Sequence, residues 1–268
     1  MTANFHTHTT RCGHAEGTDR SRFEAAEKAG IRTLGFSEHL PGDFCDIDFE
    51  NRRYHVRRDQ IAEYFETMHK FREEYKGRID VLVGFEFGYY PEFFEQIMEQ
   101  IADFPIDYLI LGQHTIGPYC DRGFDDKQPD CMHQYADLVC AAVKTGCWTY
   151  VAHPDFFCYT CTDEDIAAEY ERICIACRET DTPVEINMNG MDGKRHYPSR
   201  RMFDLAAKHG VKVIIGADAH DSPRLLNEAL YDECVRFAKD AGVELIDTVP
   251  LRDPVKAFRA WQAQKAAK

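Results

Sequence analysis

The sequence contains no long hydrophobic run, and this absence argues against a helical membrane protein. No apolar segment approaches the roughly 20 residues that a membrane-spanning helix requires. The N-terminus also lacks the apolar stretch of a secretory signal peptide. We therefore expect a cytoplasmic protein without a membrane partner.

Repeats, low-complexity stretches and linkers rich in proline, glycine or serine are also missing. We find no domain boundary and predict a single domain over residues 1–268. The chain has 11 cysteines, an odd number that argues against a complete disulfide framework. Together with the lack of an export signal, this count favours free thiols in a reducing compartment.

Basic residues are in the minority, with 32 Lys and Arg against 46 Asp and Glu and a formal net charge of −14. Such a charge disfavours nucleic acid or an anionic membrane as the main partner. It also opposes the binding of a phosphorylated substrate. Bound divalent cations would reverse the charge locally, because they are often the largest charges in a site.

Short β-rich runs alternate with helical patterns along the chain. The predicted strands are Ala3–His8, Thr33–His39, Asp80–Phe87, Asp107–Thr115, Trp148–His153, Pro183–Asn189 and Lys212–Ala217. The predicted helices are Arg20–Ala29, Arg58–Tyr75, Pro91–Phe104, Asp130–Thr145, Thr162–Glu179, Pro198–His209 and Pro223–Ala241. Seven strand–helix units in succession predict an α/β fold with a closed parallel barrel. An extra strand within Val243–Val249 and a terminal helix over Asp253–Lys268 are also expected.

Side chains that can bind metal ions or transfer protons lie where the predicted strands end. Parallel barrels carry their active sites at these ends. Residues two apart on a strand point the same way, so His6 and His8 would project side by side. Glu86, Asp218, Asn187 and Asn189 also lie at strand ends. Seven of the 12 histidines lie at or just past strand ends: His6, His8, His14, His39, His114, His153 and His220.

These ligands exceed what one ion needs, since a catalytic zinc typically takes three protein ligands and water. Carboxylates such as Glu86 and Asp218 can bridge ions. We therefore predict a centre of two or three divalent ions. Imidazole and carboxylate ligands suit Zn, Mn or Fe, so the ligand types leave the metal open.

Taken together, these segments resemble the PHP (polymerase and histidinol phosphatase) superfamily. The motifs that carry the resemblance are His6-Thr7-His8, Cys12-Gly13-His14, Gly35-Phe36-Ser37-Glu38-His39, Gly84-Phe85-Glu86, Gly112-Gln113-His114, Ala152-His153-Pro154 and Gly216-Ala217-Asp218-Ala219-His220. Glu185-Ile186-Asn187 and Tyr197-Pro198-Ser199 are similar to the histidinol-phosphatase branch in particular. The resemblance implies a distorted seven-stranded, TIM-like (β/α) barrel with a trinuclear metal centre.

The resemblance also implies a set of ligands for each of the three ions. The first ion would be held by His6, His8, Glu86 and Asp218, the second by Glu86, His114 and His153, and the third by His14, His39 and His220.

The implied activity is metal-dependent hydrolysis of a phosphomonoester, most closely of L-histidinol phosphate in histidine biosynthesis. Glu86, Asp218 and His220 are the predicted catalytic residues, and Asp218 or a site histidine could protonate the leaving alkoxide. The predicted substrate contacts are Arg195, Lys194 and Arg122 to the phosphate, and Asn187 in the pocket.

Other functions remain open at this point. The same centre could act on a different phosphomonoester or on a nucleotide. Amidohydrolase barrels also begin with His-x-His, but they commonly use a bridging lysine on strand four, where this sequence has His114. A metal-binding or regulatory protein is the non-enzymatic alternative, which the full set of nine predicted ligands disfavours.

Three further features have two interpretations each. We expect Glu38 to orient His39 rather than to bind a metal. His55 lies in a basic run that favours a solvated helix start over a lid. The pairs Cys158/Cys161 and Cys174/Cys177 have too short a spacing for a four-thiolate zinc site.

Overall fold

The computed structural model describes residues 1–40, 54–117, 129–157 and 162–267. In these ranges the strands form one parallel sheet whose order follows the chain. The strands are β1 (Ala3–Asn4), β2 (Thr33–His39), β3 (Asp80–Phe87), β4 (Tyr108–Leu111), β5 (Tyr150–Val151), β6 (Val184–Asn187), β7 (Lys212–Gly216) and β8 (Glu244–Leu245).

Helices connect successive strands, as parallel pairing requires. They are α1 (Asp19–Lys28), α2 (Ile61–Glu74), α3 (Phe94–Ile101), α4 (Pro129–Lys144), α5 (Asp163–Glu179), α6 (Met188–Asp192), α7 (Arg200–His209), α8 (Ser222–Leu225), α9 (Glu228–Ala241) and α10 (Pro254–Ala266). None of the described helices is long and apolar enough to cross a bilayer.

Alternation along the strands divides the buried side chains between two faces of the sheet. On β4, Leu109 and Leu111 pack in the larger apolar cluster together with residues of the helices. Tyr108 and Ile110, one residue out of step, pack in a smaller cluster with Tyr150 of β5. The smaller cluster fills the inside of the sheet near the start of the strands, so the polar groups lie toward the strand ends.

The sheet closes between its first and seventh strands. Beyond β1 and β7, Thr7 pairs with Ala219 in a parallel bridge. The bridge consists of the His8 N–H donating to Ala219 O at 3.0 Å and the Ala219 N–H donating to His6 O at 3.1 Å. The carboxyl ends of seven strands therefore surround one space, as the sequence predicts, and the organisation into a single domain stays a prediction.

In the described residues the sheet has eight strands, the seven of the predicted barrel and one more. The extra strand expected within Val243–Val249 is present as β8, which pairs with β7 through Lys212 and Val213. β8 is short, and it lies at the edge of the sheet beyond the seven strands that carry the candidate site.

Several predicted elements have different bounds in the structure. The strands β4, β5 and β6 are shorter than expected, and α6 begins directly after β6. The first strand was expected to run through His8, but β1 ends at Asn4 and only the bridge at Thr7 continues it. The predicted helix Pro223–Ala241 is two helices, α8 and α9. The break occurs because the Asn227 side chain accepts the Leu230 N–H at 3.1 Å and begins a new helix.

Candidate metal centre

The carboxylate of Glu86, on β3, lies at the centre of the polar cluster and is almost fully buried. Five ring nitrogens surround it: His6 (3.1 Å), His8 (3.4 Å) and His39 (3.2 Å) face Oε2, and His153 (2.8 Å) and His114 (3.4 Å) face Oε1. Each oxygen therefore faces a different group of imidazoles. This is the placement that a carboxylate bridging two ions needs.

Asp218 provides the second carboxylate, directly after β7. Its Oδ1 lies 3.5 Å from His6 Nε2, 3.4 Å from His8 Nε2 and 3.3 Å from His220 Nδ1. Its Oδ2 accepts N–H groups from Asn187 at 3.3 Å and Asn189 at 3.1 Å. The two amides fix the orientation of the carboxylate, so that Oδ1 faces the imidazoles.

Two of the predicted ligands have a strained backbone. His153 has φ 28° and Asp218 has φ 46°, in the left-handed region that residues other than glycine rarely adopt. Such conformations cost free energy and persist where the surrounding contacts impose them. Their position at the ends of β5 and β7 turns both side chains toward Glu86.

The three residues of the predicted third site also come together. The His14 ring lies 4.3 Å from the His220 ring and 5.4 Å from the His39 ring. His8 stacks between His39 and His220, at 4.3 Å from each. The third set is therefore contiguous with the first, and His14 is its exposed member.

The residues fit a cluster of divalent cations. Buried ring nitrogens His8 Nδ1 and His220 Nε2 have no hydrogen-bond partner among the described residues. Ligand atoms lie within 4.8 Å of one another in the sets His6, His8, Glu86 and His8, His39, His220. Imidazole nitrogens and carboxylate oxygens are ligands for Zn, Mn and Fe. The ligand roles themselves stay predictions.

Burial and the carboxylates act in opposite directions on the histidines. Burial lowers the pKa of His8, but Asp218 and Glu86 outweigh it and raise the pKa to about 9. Burial, with the nearby charge of His8, lowers the pKa of His220 to about 3. The pKa of His114 also falls to about 3 through burial. These shifts favour a proton on His8 and neutral rings at His114 and His220 at pH 7 when no metal is bound. The pKa of His6 is raised too, because Glu185 and Glu86 outweigh burial.

We expect the affinity for Zn²⁺ or Mn²⁺ to keep rising with pH up to about 9. Below that pH the His8 ring is protonated in the metal-free protein, so a metal ion must displace the proton. Histidines with the ordinary pKa of about 6.5 would give little further gain above that pH. Competition with a chelating dye at several pH values measures this dependence. A flat profile above pH 6.5 would contradict it.

Glu185, on β6, is a site residue that the sequence does not mark as one, although its motif is part of the family resemblance. It is fully buried, and its Oε1 lies 2.8 Å from His6 Nδ1. Its Oε2 accepts the His153 N–H at 3.1 Å and the Asn187 amide at 2.8 Å. By bonding one ring nitrogen of His6, Glu185 leaves the other aimed at Glu86 and Asp218. The alternation of Glu185 and Asn187 on one strand was the available signal.

The expectation for Glu38 was wrong about its neighbour. Its Oε2 lies 4.0 Å from His8 Nδ1, and its Oε1 accepts the Thr9 N–H at 2.5 Å. Adjacent residues on a strand face opposite sides of the sheet, so the Glu38 side chain points away from the ring of His39. Glu38 therefore supports the loop that carries His8.

His55 is closer to the centre than a solvated helix start would be. Its ring lies 6.0 Å from the His39 ring, and the neighbouring Tyr54 ring lies 5.1 Å from His14. This position favours the alternative in which the segment covers the rim of the site. Of the two cysteine pairs, Cys174 and Cys177 are buried in α5, and Cys158 and Cys161 lie outside the described residues.

The predicted substrate contacts differ in their positions. Arg195 donates to the Tyr197 hydroxyl at 2.6 Å, and the Tyr197 ring lies 6.0 Å from the His153 ring. Lys194 is exposed. Asn187 is occupied by Glu185 and Asp218, so its visible role is to position them. Arg122 lies outside the described residues.

Arg224, on α8, is a second residue that the sequence did not single out. Its Nη2 donates to Asn189 Oδ1 at 3.4 Å, and its Nη1 lies 2.9 Å from Asp192. Asn189 in turn donates to Asp218. Arg224 therefore places a cation beside the carboxylate end of the centre, partly neutralised by Asp192.

Comparison with known proteins supports the assignment made from the motifs. A family model of the PHP domain matches residues 4–189. The chain belongs to this family. The matched region of the PHP domain includes seven of the nine predicted ligands, and Asp218 and His220 lie beyond it.

Individual proteins that resemble the chain carry the names of phosphatases. The chain is 26% identical over 230 residues to a probable histidinol-phosphatase of Deinococcus radiodurans, covering 80% of this chain and 85% of that protein. It is 24% identical over 250 residues to a probable phosphatase of Thermoanaerobacter sp., covering 89% and 85%. The structure of histidinol phosphate phosphatase from Lactococcus lactis, complexed with zinc, L-histidinol and phosphate, superposes with a TM-score of 0.70 at 20% identity, over 92% of this chain and 96% of that one. This likeness confirms the TIM-like fold.

Proposed function

We propose that the protein is a metal-dependent phosphomonoesterase that hydrolyses L-histidinol phosphate to L-histidinol and phosphate in histidine biosynthesis. The observation that carries the proposal is the buried Glu86 carboxylate with imidazoles on both oxygens at the strand ends. The name of the Deinococcus radiodurans relative, a probable histidinol-phosphatase, supports the substrate. The Lactococcus lactis structure holds zinc, L-histidinol and phosphate.

Two or three divalent ions are part of this proposal, as Zn, Mn or Fe. The proposed ligands are His6, His8, Glu86 and Asp218 for one ion, Glu86, His114 and His153 for the second, and His14, His39 and His220 for the third. Such ions, when bound, neutralise phosphate charge and lower the pKa of bound water toward neutrality. Their positive charge offsets the net charge of −14, which would otherwise oppose the binding of a phosphorylated substrate.

The residues of the chain orient the reacting groups. Burial raises the pKa of Asp218, but His6 and His220 outweigh it and hold the pKa well below its usual value. Asp218 is therefore ionised at neutral pH, which suits a ligand. In this proposal Arg195 contacts the phosphate from the side of His153. Proton delivery to the leaving alkoxide by Asp218 or a site histidine stays a prediction, and the low pKa of Asp218 favours a histidine.

A second candidate keeps the same centre and changes the substrate to another phosphomonoester or a nucleotide. The Thermoanaerobacter relative is named only as a probable phosphatase. The ion pair between Arg224 and Asp192 also reduces the positive charge beside Asp218. A centre with few basic groups around it favours a substrate with a single small anionic group over a nucleic acid.

Phosphate release from a panel of phosphomonoesters tests the proposal. With Mn²⁺, Zn²⁺ or Fe²⁺ added, we expect L-histidinol phosphate to have the highest kcat/KM, at least about tenfold above the others, because the organic part supplies binding energy. Protein dialysed against a chelator should be inactive and recover when metal is returned. Higher kcat/KM for a nucleotide or sugar phosphate would shift the assignment to the second candidate, and no release from any substrate would refute both.

The cytoplasm is the proposed compartment. Six of the described cysteines are free thiols, which suits a reducing environment: Cys12, Cys140, Cys147, Cys174, Cys177 and Cys234. That nucleic acid is not the main partner also stays a prediction from the charge.

A further inference from the structure

Arg22, on α1, is among the largest fully buried side chains of the protein, with 1% of its surface exposed. Its guanidinium donates to His8 O at 3.3 Å, His220 O at 2.7 Å and Ser222 Oγ at 3.2 Å. Two of these three acceptors are the main-chain carbonyls of predicted metal ligands. One side chain therefore joins the chain that follows β1 to the chain that follows β7.

These carbonyls lie just beyond the point where the backbone closes the barrel. The bridge between Thr7 and Ala219 carries the last hydrogen bonds of the parallel ladder across the seam, and beyond it the Glu16 N–H donates to His220 O at 2.8 Å. One residue further along each chain, the His8 carbonyl accepts from Arg22, and the His220 carbonyl accepts from both Arg22 and the Glu16 N–H. The guanidinium thus continues the seam as a side chain where the backbone ladder ends, directly behind the two imidazoles.

Packing alone gives no reason for this arginine. Its three hydrogen-bond acceptors are two carbonyls and a hydroxyl, and the carboxylates of Asp19, Glu38 and Asp221 act on it only as nearby charges. Burying a charge on neutral acceptors is costly, and an apolar side chain of similar volume would often be more stable. The cost indicates a role for the guanidinium in holding the geometry of the seam.

The absence of a side chain at Gly17 leaves space for the same guanidinium. It has φ +90°, and a Cβ added there would lie 2.9 Å from Arg22 Nη1. The loop before α1 therefore leaves room for the guanidinium to reach the seam. This contact offers a way to displace Arg22 without replacing it.

We propose that Arg22 is a positioning residue for the third metal position. By tying His8 O to His220 O it sets the 4.3 Å stacking of the two rings, and with it the approach of His220 to His14. The inference rests on the metal centre proposed above. Arg22 touches neither substrate nor ion, and it acts through the backbone of the ligands.

The test is the number and affinity of bound ions in Arg22→Gln, Arg22→Lys and Gly17→Ala. We expect wild type to bind three Zn²⁺ per chain and Arg22→Gln to bind one of them about 10- to 100-fold more weakly, the usual effect of removing an outer contact of a ligand. Lysine should restore part of the affinity, because an ammonium reaches fewer acceptors. Gly17→Ala should weaken the same ion. Metal analysis after dialysis and calorimetric titration measure both quantities.

Arg20→Gln is the matched control, because Arg20 lies on the same helix but is exposed and paired with Glu74. The Arg20→Gln variant should bind every ion with wild-type affinity. Wild-type affinity in Arg22→Gln would overturn the inference while leaving the metal centre intact. Wild type without bound metal would instead overturn the proposed function. If Arg22→Gln fails to fold, normal ion binding in Arg22→Lys and Gly17→Ala would show a folding role only and would also overturn the inference.

Discussion

Replacing Glu86 by glutamine is expected to lower kcat/KM for phosphate release by at least about 10³-fold, equivalent to about 4 kcal/mol. Burial would raise the pKa of Glu86, but the neighbouring charge of His6 outweighs it and holds the pKa well below its usual value. Glu86 is therefore an anion whose two oxygens face different imidazoles. Glutamine keeps the shape but has one neutral oxygen and an amide that donates, so it cannot bridge two cations.

Metal content distinguishes this explanation from a general loss of structure. Glu86→Gln should retain fewer ions than wild type after dialysis, while its circular dichroism stays unchanged. Glu92→Gln is the control, since Glu92 is exposed just before α3 and should leave both activity and metal content unaltered. Full activity with a full metal complement in Glu86→Gln would refute the bridging role.

Replacing Gly112 by alanine is expected to produce the second largest effect, a loss of about 100-fold in kcat/KM or about 2.7 kcal/mol. A Cβ at Gly112 would lie 2.6 Å from the Cδ of Glu86, well inside contact distance. The methyl group must therefore push the Glu86 carboxylate away from His114 and His153. Overpacking of this kind also costs about 1–3 kcal/mol in the free energy of unfolding.

Gly30→Ala separates the two contributions. Gly30 has φ +74° and no atom within 4 Å of an added Cβ, so alanine there strains the backbone far from the centre. We expect Gly30→Ala to lower Tm but to keep its metal and its kcat/KM. If Gly112→Ala behaves in the same way, the close fit of Glu86 against residue 112 has no functional importance.

The sequence by itself determined the order of the strands and helices. It also indicated the strand ends at which the candidate ligands lie. Alternating strand and helix patterns indicated a parallel barrel, and the carboxyl ends of such strands share one edge for reasons of geometry alone. His6, Glu86, His153 and Asp218 could therefore be placed together although 212 positions separate His6 from Asp218. Each of these residues lies near the end of a recognisable β-rich run or directly after it.

Element bounds were harder to predict from the sequence. The run after Ala3 reads as a strand through His8, yet β1 ends at Asn4. Asn4 causes part of this difference, because its side chain accepts the Ala217 N–H at 2.8 Å and donates to Thr7 Oγ1 at 2.7 Å. A side chain that bonds across the seam replaces ladder hydrogen bonds, and its partner lies more than 200 residues away.

Only the tertiary structure decided how the ligands are oriented. Glu185 touches His6 and His153 across three strands, Arg22 reaches the carbonyls of His8 and His220, and no local pattern marks either contact. Periodicity specifies the face on which a side chain lies, since it depends on neighbours in sequence. Which atom it meets depends on the register between strands and on space left by residues such as Gly112. The sequence therefore predicted which residues gather at the strand ends, and packing decided which side chains hold them in place.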